Sequence, residues 1–331
     1  MRKTKCKKCL RILIPPILFL LCFSFFSCGV RFGTVQGYGM GTFLAVTSSD
    51  EEFAISVLPQ VTSLENEISH RVSSSQIAAL NRGEKVSVTD DVREALLLAT
   101  EISEKTDGAF SPFVLPLSMV WHFDEGGSLP DTQTLADAVK TVQNSALIWE
   151  GDVAYLTAGG IDLGALGKGM AADALAQSFA GQSALISVGG SIAAVGDKNG
   201  EAWRVGVRDP FSTSPNVTVG TLALRDAFVS TSGSYEKCFT ENGVSYHHIL
   251  DPETGMPVNN GIVSVTVVAS SGILSDLLST AVFSVGEEKG ASLCAEYGAQ
   301  VLFVRADGTI VLYGGMADLF TPADGKEVVV P

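Results

Sequence analysis

Residues 245–280 read SYHHILDPETGMPVNNGIVSVTVVASSGILSDLLST. Two adjacent histidines, His247 and His248, close a strand-like run, and a Pro/Gly-rich turn follows. The β-branched stretch from Ile262 to Val268 then predicts a long strand leading into a helix over 275–285. On that helix Asp276 and Thr280 stand at i,i+4, so both oxygens leave one face. A strand feeding a helix, with polar side chains at both ends, points to an α+β body with a site where the two meet.

The remainder of the chain supports that class. Upstream, ALISV, SIAAVG, AWRVGVRDP and VTVGTLALRDAFVSTSG are turn-separated runs of an antiparallel sheet. Downstream, a helix near 287–297 precedes VLFVRADGTIVLYG, a hairpin turning at Asp307-Gly308. Towards the N-terminus, helices are expected over 51–68 (with Pro59 as a kink or late start), 89–106 and 132–140. The stretch GAFSPFVLPLSMVWHF, apolar and broken by proline, is expected as a buried irregular wall. Glycines 33, 37, 39 and 41 make either a glycine-rich hairpin or a place where backbone meets ligand. IDLGALGKGMAADALAQSF predicts a short strand ending at Asp162, a glycine turn, and a helix from about Lys168 to Phe179; such a turn suits phosphate. With no repeat and no long linker, one compact body with mixed or antiparallel sheets flanked by helices is expected for residues 28–331.

Residues 1–27 are different. Arg2, Lys3, Lys5, Lys7, Lys8 and Arg11 precede an apolar run from Ile12 to Phe26, then Ser27-Cys28-Gly29. That order is the grammar of an export signal, and Cys28 stands where a bacterial lipoprotein takes its lipid. The alternative is an uncleaved signal anchor. Without those six cations the chain keeps 16 basic against 36 acidic residues, a net of −20. A body so acidic has no basic stripe for a polyphosphate, so no nucleic-acid partner is expected. Beyond Cys28 only Cys238 and Cys294 remain, and nothing in their spacing decides whether they pair.

A carboxylate and a hydroxyl are too few for a protein-only metal cage. They suit Mg²⁺, which keeps waters and shares phosphate oxygens. Equally, Asp276 answers to a helix dipole and Thr280 to the carbonyl one turn back. The histidines are open in the same way: one can be a base near neutral pH, or both can be structural.

Several motifs stand in one order: MGT (40–42), DLGALGKGMAADAL (162–175), SVGGSI (187–192), WRVGVRDP (203–210), VSTSGSYEKCF (229–239), YHHILDPETGMP (246–257) and SDLLSTAVFSVG (275–286). Together they resemble the ApbE family of FAD:protein FMN transferases, over roughly residues 35–320. The resemblance implies Mg²⁺-dependent cleavage of FAD, with FMN passing to a Thr or Ser hydroxyl of an acceptor protein and AMP leaving. Some members of the spirochaete type, which this chain resembles, hydrolyse FAD to FMN and AMP instead, with water as nucleophile. By motif it implies His248 as the base, and the Ala165 carbonyl, Asp276 and Thr280 as metal ligands. Met40, Arg71, Ala109, Phe110, Ser111, Asp162, Lys168, Leu250 and Ser279 fall where the family lines its FAD pocket. It further implies a lipid-anchored, periplasm-facing protein serving flavoprotein subunits of membrane redox complexes. Departures are Arg71 where a tyrosine is usual, Ser234 where an acid is usual and Ser191 where asparagine is usual. A flavin-nucleotide-binding lipoprotein without chemistry is the alternative function.

Overall fold

The computed structural model describes residues 29–331; the leader and Cys28 lie outside the described residues. Nine strands form the main sheet, in the order 33–39, 42–48, 184–188, 191–195, 227–233, 262–269, 300–305, 310–313 and 328–329. Neighbours are antiparallel except the last pair, Ile310–Tyr313 with Val328–Val329, which is parallel.

Both faces of this sheet are covered, which explains why its central strands are apolar almost throughout. Along Ile262–Ala269, Val265, Val267 and Ala269 join the cluster beneath the helices, while Val268 joins a cluster on the opposite face. Val301 and Phe303 divide from Leu302 and Val304 in the same way on the next strand. Each such side chain contributes about 1.5–3 kcal/mol when fully buried. The far face is closed by a separate sheet of Trp203–Arg208, Thr218–Leu224 and Phe320–Pro322. The run VTVGTLALRDAFVSTSG is therefore two strands in two sheets, divided at Asp226, whose φ of 44° reverses the chain.

On the near face the Gly167–Ser178 and Gly272–Val285 helices pack against each other. They touch backbone to backbone: a β-carbon at Gly169 would lie 2.1 Å from the Gly272 carbonyl oxygen, and one at Gly272 would lie 2.3 Å from that of Gly169. Asp173 holds the contact, accepting the Gly272 and Ile273 amides at 2.6 and 2.8 Å at the start of the second helix.

Other expectations need correction. The proline-broken wall contains a helix, Leu115–Trp121, because Pro116 sits in its first turn, where an amide has no intrahelical acceptor. The strand expected before Asp162 is a single bridge, Val114 to Gly160; the Asn81 side chain takes the place of a partner strand by bonding both N–H and C=O of Ile161. The break expected at Pro59 is present: the Glu51–Ile68 run is two helices, Glu51–Val57 and Pro59–Ile68, and Pro59 starts the second. Glycines 37 and 39 serve packing: β-carbons there would come 3.1 Å from Leu58 and 3.0 Å from Val61. The hairpin turns at Met40-Gly41, both with positive φ.

Candidate active site

The Gly167–Ser178 helix begins without a capping side chain, because Leu166 occupies its N-cap. The third amide of that helix, Gly169 N–H, finds no acceptor within its own helix and donates to Asp276 Oδ2 at 2.9 Å. Asp276 therefore caps a neighbouring helix from across the Gly169–Gly272 contact, where the helix dipole favours its charge. Its other oxygen, Oδ1, accepts from Ser191 Oγ at 2.9 Å, and Lys168 Nζ lies 3.5 Å away. Only 4% of Asp276 is exposed. Gly272 starts the helix earlier than position 275, so Asp276 lies in its second turn, too far from its own N-terminus for that dipole to be its partner.

Beneath Asp276 runs a seam of hydroxyls between helix and sheet. Ser230 Oγ meets Ser275 Oγ at 2.9 Å. Ser232 Oγ meets Ser279 Oγ at 2.7 Å and Thr280 Oγ1 at 3.0 Å. Ser279 in turn donates to the Asp276 carbonyl at 2.8 Å. Ser279 is fully buried, so its hydroxyl works within the seam. Ala165 lies just upstream of the capped helix, and its carbonyl oxygen accepts no hydrogen bond among the described residues.

His247 ends a two-stranded ribbon outside the main sheet, Cys238–Glu241 with Val244–His247, turning at Asn242-Gly243, and His248 follows directly after it. His247 is buried against Phe283; its Nδ1 accepts the Ile249 amide and its Nε2 faces the Val258 carbonyl at 3.0 Å. That pairing makes it a neutral, structural ring, and burial lowers its pKa. His248 is half-buried, with Nδ1 3.1 Å from the Glu236 carbonyl. Since a carbonyl only accepts, the proton sits on Nδ1 and Nε2 is left as the basic atom. Burial, reinforced by the nearby charge of Lys237, pushes the His248 pKa down to about 4, and Lys168 acts in the same direction.

Contacts join most of the pocket residues named by motif. Asp162 Oδ1 accepts the Gly164 amide at 2.8 Å and lies 3.7 Å from His70 Nδ1, while its amide donates to the Pro112 carbonyl beside Ala109, Phe110 and Ser111. Lys168 bonds the Gly164 carbonyl at 3.2 Å. Phe110 is buried in the main core, and the Ser111 hydroxyl accepts the Phe113 amide. Arg71, largely exposed, pairs with Asp124, which also holds Lys237 at 2.9 Å. Burial works to raise the Asp124 pKa, but the Lys237 hydrogen bond and the surrounding cations lower it. Met40, at the hairpin turn, gives its amide to Glu65 Oε2, and Leu250 is buried beside Leu117 and Trp121. Among the described residues no hydrogen bond links Met40 or Leu250 to the Asp276 cluster.

Asp276 thus joins a glycine-rich helix start to Lys168, while the half-buried His248 is held by the Glu236 carbonyl. A model of the ApbE family matches residues 40–303. This chain belongs to the ApbE family. The FAD:protein FMN transferase of Treponema pallidum (strain Nichols) is 35% identical over 282 residues, 77% of either chain. That of Klebsiella pneumoniae (strain 342) is 29% identical over 304 residues, 88% of this chain and 94% of the relative. The ApbE protein of Thermotoga maritima superposes with a TM-score of 0.79 at 27% identity, covering 87% of this chain and 99% of that one. The flavin transferase ApbE from Vibrio cholerae has the same fold, with a TM-score of 0.75 at 23% identity over 87% of this chain and all of that one.

Sequence reasoning did not assign Gly169, Ser191, Ser230 or Ser232 to the ApbE site. Ser191 was noted only as a departure, yet it bonds Asp276 directly. Ser230 and Ser232 alternate on the strand Ala227–Gly233, so both face the helix; that period-2 pattern of hydroxyls was the available signal. Cys238 and Cys294 are both free thiols, one exposed and one buried.

Proposed function

We propose that this chain moves FMN from FAD to a Ser or Thr hydroxyl of an acceptor protein and releases AMP, using Mg²⁺. The observation that carries the reading is the buried Asp276 carboxylate held at a helix N-terminus, with Lys168 Nζ 3.5 Å away. The donor set fits a hard cation: a carboxylate, the Thr280 hydroxyl and the uncommitted Ala165 carbonyl are all oxygen ligands. Among the described residues no group of three or more His, Cys, Asp or Glu could hold a metal, so a softer, nitrogen- or sulfur-bound ion has no support. When bound there, Mg²⁺ would neutralise charge on the diphosphate and align it for in-line displacement.

The chain's own residues supply the rest. His248 Nε2 takes the acceptor hydroxyl's proton as its oxygen bonds to the FMN phosphorus. The phosphoanhydride bond breaks, and AMP leaves with the electron pair. Lys168 offers a cationic contact to phosphate in an otherwise acidic chain.

Arg71 favours a second activity. It holds an exposed ion pair with Asp124 where an aromatic ring would otherwise cover the flavin, so bound FAD is open to water and hydrolysis to FMN and AMP accompanies transfer. We further propose export and lipid anchoring through Cys28, with acceptors among flavoprotein subunits of membrane redox complexes. No helix of the described residues is long and apolar enough to cross a membrane.

Purified protein incubated with FAD and Mg²⁺, with and without an acceptor, tests the reading. AMP release together with an acceptor that becomes covalently fluorescent is the expected result. FAD left intact by both mixtures would instead indicate a flavin-nucleotide-binding lipoprotein.

A further inference from the structure

The three contacts around Ser232 have one consistent proton order. Each hydroxyl has a single proton. That of Ser279 is committed to the Asp276 carbonyl at 2.8 Å. The 2.7 Å contact between Ser279 and Ser232 is therefore filled by the Ser232 proton, and the 3.0 Å contact between Ser232 and Thr280 by the Thr280 proton. Thr280 thus gives its proton to the sheet and keeps its oxygen lone pairs unshared.

We infer that Ser232 is a positioning residue for the cation site: it accepts the Thr280 proton and so turns that hydroxyl into an outward-facing oxygen ligand. The inference rests on the cation reading above. Ser191 plays the opposite part on the same sheet, giving its proton to Asp276 Oδ1 and fixing the carboxylate instead of a hydroxyl. The strand Ala227–Gly233 sets the spacing, because Ser230 and Ser232 share the helix-facing side and meet Ser275 and Ser279 one turn apart, with Thr280 next to Ser279. Ligand orientation by a neighbouring acceptor is commonly worth 10–100-fold in metal affinity. Without Ser232, the Thr280 proton loses its acceptor on the sheet, so the hydroxyl rotates and its lone pairs are no longer held outward.

The test is Mn²⁺ titration of the full mature chain, followed by the loss of the free-ion electron paramagnetic resonance signal. Wild type, Thr280→Ala, Ser232→Ala, Ser232→Cys and Ser232→Thr are compared, each with its melting temperature. The expected result is a dissociation constant raised roughly 10–100-fold in Ser232→Ala. Ser232→Cys, similar in size but a poorer acceptor, falls between, and Ser232→Thr binds as wild type does. The Mg²⁺ concentration for half-maximal AMP release moves by the same factor, with the rate at saturating Mg²⁺ little changed. If Thr280→Ala loses Mn²⁺ while folded Ser232→Ala and Ser232→Cys bind it as tightly as wild type, the positioning role is overturned and the cation reading stands. If wild type binds no Mn²⁺, the cation reading is overturned and this inference with it.

Discussion

Gly169 and Gly272 touch so closely that neither has room for a side chain: a β-carbon on Gly169 would sit 2.1 Å from the Gly272 carbonyl oxygen and 2.8 Å from the β-carbon of Asp276. The site depends on that approach, since only at this separation does Asp276 reach the Gly169 amide. Gly169→Ala must push the two helices apart. Overpacking of this kind costs about 1–3 kcal/mol. The expected outcome is a lowered melting temperature together with loss of AMP release, measured on one preparation. Wild-type turnover in Gly169→Ala would show that the helix contact and the chemistry are separable.

Asp276→Asn and Asp276→Ala should behave differently. In the asparagine variant the side-chain oxygen can still accept the Gly169 amide, and the Ser191 hydroxyl can rotate to accept from the new NH₂. Melting should stay near wild type, while turnover falls by roughly 10²–10³, the size expected when one preorganised electrostatic partner is removed. The alanine variant leaves the buried Gly169 amide without an acceptor, which costs about 1–3 kcal/mol on its own. Equal melting temperatures for the two variants would remove Asp276 from its capping role.

His248, with its pKa near 4, is neutral and ready to accept a proton through the whole physiological range. The acid limb that it contributes to kcat/KM of transfer should therefore lie near pH 4, not near 6.5. His248→Ala should lower transfer by roughly 10²–10⁴ with little change in FAD affinity. A limb near 6.5 that disappears in His248→Ala would mean that the ring is solvated in the working enzyme.

The same burial makes folding pH-dependent. His247 and His248 both have folded pKa values below the unfolded value, so the unfolded chain binds more protons as pH falls through the range between them. Stability from this source is fully present above about pH 6.5 and is lost progressively towards pH 4. The urea midpoint should drop between pH 7.5 and 5, and less steeply in His248→Ala. An unchanged slope would assign the acid sensitivity to other groups.

How much of this was legible beforehand differs from one residue to the next. The Asp276/Thr280 spacing and the strand before it followed from local periodicity, which acts within one element. The Leu115–Trp121 helix was hidden because a proline in a first turn and a proline breaking a helix look alike in sequence. The ribbon that ends at His247 had a signal, Asn242-Gly243 between alternating residues, that was not taken up. Gly169 and Ser191 could not be ranked from sequence, because their role is set by Asp276, 107 and 85 positions away. Long-range hydrogen bonds of this sort leave no local pattern.

Arg71 offers the last test, because it bears on the balance between transfer and hydrolysis. Its guanidinium is held by Asp124 at an exposed position, and such pairs contribute only about 0–1 kcal/mol. Replacing it should therefore leave the fold intact, with Lys237 still available to Asp124. Tyrosine at this position would put an aromatic ring where the ApbE resemblance places one against the flavin, adding stacking of about 0.5–1.5 kcal/mol. Arg71→Tyr should accordingly hold FAD several-fold more tightly and release less AMP when no acceptor is present, with transfer to an acceptor reduced less. The measurements are flavin retained through gel filtration and the ratio of AMP to covalent flavin. If that ratio is the same in Arg71→Tyr and wild type, exposure of the flavin at this residue does not set the partition, and water must reach the phosphate by another route.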